Sequence, residues 1–123
     1  MKQLLIVGLG GFLGSVLRFK LGGLVVQHAA GWKFPLGTVV VNLSGCLAAG
    51  VLAGLAQKHA LFTSETRLFV FVGLLGGFTT FSAFGMETVS LLQRQEFPAA
   101  ALNVLVSVGL GLLALWLGLK AAA

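Results

Sequence analysis

Almost the whole of this 123-residue chain consists of four apolar segments joined by short links, at about residues 4–26, 36–56, 68–92 and 99–119. About 20 helical residues cross the hydrocarbon core of a bilayer, and each segment reaches that length. In lipid, every backbone N–H and C=O must be satisfied within the segment, so such stretches become helices. Links this short force an up-down antiparallel order. The expected fold class is all-α, an integral membrane protein of four transmembrane helices in a single domain, residues 1–123.

Composition agrees. Hydrophobic residues make up 58% of the chain and charged residues only 9%, where soluble domains carry about 25% charged. Mean hydropathy is +1.04. The net charge of +5 comes from basic residues scattered at segment ends, as in membrane proteins; nucleic acid is therefore not an expected partner. The single cysteine, Cys46, lies inside an apolar run and reads as a small packing residue. Lys2 before an apolar run could mark a cleaved signal peptide, but Arg18 and Lys20 follow without a small-residue cleavage site, so the first segment is kept as a helix. Pro35 and Pro98 suit helix starts, Thr63-Ser64-Glu65 offers capping groups, and Trp32 and Trp116 fall at headgroup depth.

The basic residues divide evenly between the two membrane sides. Lys2, Lys58, Arg67 and Lys120 fall on one, Arg18, Lys20, Lys33 and Arg94 on the other. Orientation normally follows a lysine and arginine excess on the cytoplasmic side, and here none exists. A chain without that bias can insert both ways, which invites an antiparallel homodimer with its two-fold axis in the membrane plane. A weak bias resolved by a partner protein is the alternative.

Polar residues inside the apolar segments narrow the function. The third segment contains Gly73-Leu74-Leu75-Gly76-Gly77-Phe78-Thr79-Thr80-Phe81-Ser82-Ala83-Phe84. Gly73 and Gly77 form a small-xxx-small pair suited to helix packing. Hydroxyls and phenyl rings beside a breakable backbone are, in contrast, tolerated at membrane depth where they line a pathway. In the first segment, Gly10, Gly14 and Arg18 share a face; Arg18 either snorkels to the headgroups or forms a positive vestibule for anions. In the second, Thr38 and Asn42 lie four apart, and Asn42 is costly to leave facing lipid. It serves either as interhelical glue or as a donor to a pore.

Carboxylates are scarce: Glu65, Glu87 and Glu96. Proton-coupled transport needs an intramembrane carboxylate, and only Glu87 could serve. His28 and His59 read as interfacial. No nucleophile–base pair, nucleotide loop or metal spacing is visible, so the chain does not read as an enzyme.

The patterns GGxxGxxxR (Gly10 to Arg18), GTxxVNxxG (Gly37 to Gly45) and GGFTTFSxF (Gly76 to Phe84) resemble the Fluc/CrcB family of fluoride channels. The match spans essentially the whole chain in length, helix count and motif order. The resemblance implies a dual-topology antiparallel homodimer in the cell membrane, a break in the third helix, two pores for the fluoride ion and a structural Na+ at the dimer centre. It implies passive fluoride export that confers resistance. It places Phe81 and Phe84 as pore aromatics, with Asn42, Ser82, Thr38 and Glu87 along the pore, and Arg18 in the vestibule. Backbone carbonyls of Gly76 and Thr79 would hold the sodium. The family often has a tyrosine near a serine on the fourth helix; this chain has none, and Asn103 stands there, four residues before Ser107. A small proton-coupled multidrug transporter has similar length and topology, yet is built around a first-helix glutamate that is absent here. A non-transporting scaffold docking through glycine faces is the third alternative.

Overall fold

The computed structural model describes residues 1–60 and 62–123, which form four long helices: α1 (Lys2–His28), α2 (Leu36–His59), α3 (Ser64–Gln93) and α4 (Phe97–Ala122). All four are long and apolar enough to span a membrane. The helices run a few residues beyond the expected ends. Pro35 is the N-cap of α2 and Pro98 occupies the first turn of α4. Thr63 caps α3 by accepting a hydrogen bond from the Thr66 N–H at 3.2 Å. Helix α3 ends in a paired carbonyl cap: Glu96 N–H donates to Leu91 O (2.9 Å) and Gln95 N–H to Leu92 O (3.0 Å). That geometry puts Gln95 at φ +60°, a position glycine usually fills.

The order is up-down, and the tightest partners are alternate, parallel helices. Lys2 Nζ meets Glu65 Oε1 at 2.6 Å, which sets the start of α1 beside the start of α3. Between α1 and α3, backbone approaches backbone at Gly10, Gly14, Gly73 and Gly77. A Cβ on Gly10 would stand 2.6 Å from Phe69 O, and one on Gly77 2.6 Å from Gly11 O. A second glycine seam joins α2 to α4. There a Cβ on Gly54 would lie 2.7 Å from Leu119 O, and one on Gly118 2.7 Å from Leu47 O. Lipid supplies no hydrophobic drive between helices, so close van der Waals contact through small residues does that work. Helix α2 is the most enclosed of the four, and buries Val39, Val41 and Ala56 with four glycines.

Helix α3 is not uniform. It is π-helical over Leu68–Leu75 and α-helical over Gly76–Phe78, and it bends at Thr79 and Thr80 before resuming as Phe81–Gln93. Both threonines have extended backbone, at φ −87°, ψ 155° and φ −149°, ψ 112°. The glycine pair Gly76-Gly77 is the flexible-looking part of this stretch, but both residues are helical. Their lack of side chains serves the approach to α1. Thr80 suits the bend because its Oγ1 replaces a helical partner, accepting from Ala83 N–H at 3.2 Å, while Thr79 Oγ1 adds a second donor (2.9 Å) to Leu75 O beside the retained Thr79 N–H. Helix α4 carries a second π-helical stretch, Leu105–Leu110. Large apolar side chains such as Leu4, Phe12, Phe19, Leu105 and Leu112 stand exposed on the single chain.

Candidate functional site: a polar bend between two cavities

The bend in α3 is fastened to α2 by one side chain. Asn42 donates from Nδ2 to Thr80 O (2.9 Å) and accepts at Oδ1 from Thr80 N–H (2.8 Å). The pair supplies the Thr80 N–H with the acceptor that the bend takes from it, and adds a donor to Thr80 O, the N-cap carbonyl of the helix that follows. It leaves one Nδ2 hydrogen of Asn42 uncommitted to Thr80. Carbonyls at the end of the preceding stretch lose their helical donors in the process, Gly76 O and Thr79 O among them. The Thr80 N–H that would bond Gly76 O goes to Asn42, and the Ala83 N–H that would bond Thr79 O goes to Thr80 Oγ1.

Two cavities meet at Thr80. The first, of about 410 Å³, is lined by Asn42, Gly76, Thr79, Thr80, Phe81, Phe84 and Ser107, with Cys46 among its apolar walls. Phe81 and Phe84 are tilted by 51° with ring centroids 5.5 Å apart, and Phe81 is 81% exposed. Tilted rings turn positive edges as well as negative faces to their surroundings. The second cavity, of about 500 Å³, is lined by Arg18, Thr38, Glu87, Ser15, Thr80 and Ala83, with Trp32 and Phe34 among its apolar walls. There Thr38 Oγ1 donates to Glu87 Oε1 at 2.6 Å, while Glu87 Oε2 is buried without a hydrogen-bond partner among the described residues.

The expected site residues therefore separate into groups. Phe81, Phe84, Asn42, Ser107, Gly76 and Thr79 border one cavity, and Arg18, Thr38 and Glu87 the other. Ser82 borders neither; it is exposed and lies 3.2 Å from Thr80 Oγ1. Asn103 also borders neither and is 1% exposed. Its Nδ2 donates to Thr88 Oγ1 (2.9 Å), and its Oδ1 accepts from Ser107 Oγ at 3.3 Å. Thr88 in turn donates to Phe84 O at 2.8 Å.

Sequence reasoning counted Thr80 among the hydroxyls of the third segment without giving it a role, and left Thr88 out of the site. A signal for Thr80 was present, since a threonine three residues before Ala83 at a helix start is a capping pattern. Thr88 offered only its spacing of four from Phe84, which a hydroxyl uses to bond the preceding turn.

Comparison with known proteins matches residues 5–119 to the family described as CrcB-like protein, Camphor Resistance (CrcB). The chain is 48% identical, over 98% of its length, to the fluoride-specific ion channel FluC of Methylobacillus flagellatus, of which 94% is covered. The same-named protein of Opitutus terrae is 47% identical, over 99% of this chain and 93% of its own. Fluoride-specific ion channel FluC 1 of Methanosarcina acetivorans is 39% identical, over 96% and 88% respectively.

Proposed function

From the chain's membership in the CrcB family, to which it belongs over nearly its full length, we propose how it conducts the fluoride ion across the cell membrane. The protein is a multi-pass fluoride channel and not an enzyme. The observation that carries the pore assignment is the convergence of Phe81, Phe84 and Asn42 on one cavity beside a helix bend.

Fluoride is small and strongly hydrated, so a pathway must replace its water with donors and positive edges. The remaining Nδ2 hydrogen of Asn42 and the edges of Phe81 and Phe84 are such groups, and none carries a full charge. A fixed cation inside the pore would hold the ion too long, and weak multiple sites favour conduction. Arg18 lies instead in the neighbouring cavity, where it draws anions toward the entrance. Because Thr38 gives its proton to Glu87, its resting role is to orient that carboxyl group. Ser82 and the outer face of Phe81 stand open on the single chain and are read as facing a second copy.

That second copy is inserted in the opposite sense. Even lysine and arginine counts on the two sides support dual topology, and broad exposed apolar faces support burial against a partner. Two pores per dimer follow from the two-fold relation. A sodium ion at the centre fits the residues present: Gly76 O and Thr79 O have lost their helical donors, and carbonyl oxygens are hard ligands suited to such a cation. When bound, the ion would supply fixed positive charge beside these carbonyls.

The test is efflux of fluoride and of chloride from liposomes that contain only the purified protein. Rapid fluoride loss without chloride loss is expected, and Phe81→Ile abolishes it while the dimer stays intact. Unchanged flux in that variant would remove the aromatic-pore assignment.

A further inference from the structure

The structure assigns Asn103 as a positioning residue that holds the Phe84 turn of the pore from behind, through Thr88, instead of lining the pore itself. The assignment rests on the fluoride-pore reading above. Three hydrogen bonds run in one direction. Ser107 Oγ donates to Asn103 Oδ1 (3.3 Å), Asn103 Nδ2 donates to Thr88 Oγ1 (2.9 Å), and Thr88 Oγ1 donates to Phe84 O (2.8 Å). Thr88 has a single proton, and because it goes to Phe84 O, the oxygen lone pairs are left for Asn103. Only an amide N–H or another donor fits that place. Asn103 is 1% exposed, so its amide has no water to fall back on.

Both ends of this relay reach one cavity. Phe84 and Ser107 line it with Asn42, while the middle member, Asn103, is sealed between α3 and α4. Residues Leu105–Leu110 are π-helical, and Ser107 lies in that stretch. A π-helical segment does not hold its side chains in the ordinary α register. The Ser107–Asn103 bond ties that register to the rigid turn of Phe84. The relay thereby ties the backbone of the Phe84 turn on α3 to Ser107 on α4, two residues that line the same cavity.

The experiment compares fluoride efflux for Thr88→Val, Thr88→Ser, Asn103→Leu and the Thr88→Val/Asn103→Leu double variant, each confirmed as a folded dimer by size exclusion. Valine keeps the shape of threonine and removes the hydroxyl; serine keeps the hydroxyl and removes a methyl. We expect Thr88→Val and Asn103→Leu each to lower flux by about tenfold and the double variant to lose no more than either alone, since members of one hydrogen-bonded unit are not additive. Thr88→Ser retains flux within about twofold, because it keeps the bond. A packing role predicts the reverse: normal flux in Thr88→Val and loss in Thr88→Ser. That pattern, or losses that multiply to about a hundredfold in the double variant, would overturn the assignment. Should Asn103→Leu fail to fold, the two Thr88 variants still decide. Failure of the aromatic-pore reading registers separately, as unchanged flux in Phe81→Ile.

Discussion

Asn42 performs two tasks with one amide. Its pairing with both polar atoms of the Thr80 peptide makes it part of the backbone's own hydrogen bonding, and only its remaining N–H is free for an ion. Asn42→Ala therefore strands the part-buried Thr80 N–H, and should destabilise the protein by about 1–3 kcal/mol. The same variant should lose fluoride flux; thermal unfolding of the purified protein and liposome efflux check the two effects. Asn42→Asp retains the acceptor and loses the donor to Thr80 O, so it should restore part of the stability and none of the flux. The sequence made Asn42 a candidate because an amide in an apolar run demands a partner. That partner could not be read from it, since Thr80 is 38 residues away. Asn103 was assigned to the pore by its place in the family pattern alone. Its burial depends on how α4 meets the far half of α3, which no local pattern encodes.

At the scale of the helices, the four spans, their caps and their glycine faces were legible, because hydropathy, proline and small-residue spacing are local signals. The bend falls just past the glycine pair. Gly76 and Gly77 advertise flexibility, yet Gly77 is needed for contact with α1, whereas Thr80 carries the hydroxyl that replaces a lost helical bond. The π-helical stretches left no signal that periodicity could show. The seams permit a sharp comparison among glycines that look alike in sequence. A Cβ on Gly14 would collide with Leu74 O and Phe78 N, while at Gly8 nothing lies within 4 Å. Gly14→Ala should prevent recovery of folded protein. Gly8→Ala should be neutral or stabilise by up to about 1 kcal/mol, as alanine restricts the unfolded chain and favours a helix. Size exclusion and thermal melts in detergent read both. At the end of α3, Gln95→Gly should stabilise by about 0.5–1 kcal/mol, because it relieves a left-handed backbone at φ +60°.

At the scale of the whole molecule, the proposed pore calls for a second copy of the chain. A single chain shows large apolar side chains over much of its surface, and a bilayer together with a second copy would cover them. Dual topology predicts that a cysteine placed in the α1–α2 link labels with an impermeant reagent from both sides of a vesicle, in roughly equal shares. Labelling from one side alone would remove the antiparallel dimer. Replacing sodium by a large organic cation should lower the melting temperature of the dimer. Gly76→Ala, which leaves the backbone carbonyl in place and meets only Phe71 O at 3.8 Å, should preserve that sodium dependence.

The two glycine seams carry a genetic consequence. When a bulky side chain clashes with another side chain, a smaller residue opposite can restore the fit. At Gly14 and Gly50 the obstructing atoms are peptide atoms of Leu74, Phe78, Leu115 and Leu119, which are present whatever residue occupies those positions. No exchange on the facing helix can make room. A selection for revertants of Gly14→Ala or Gly50→Ala should therefore return true reversions at the codon itself, with compensating changes absent from the opposing positions.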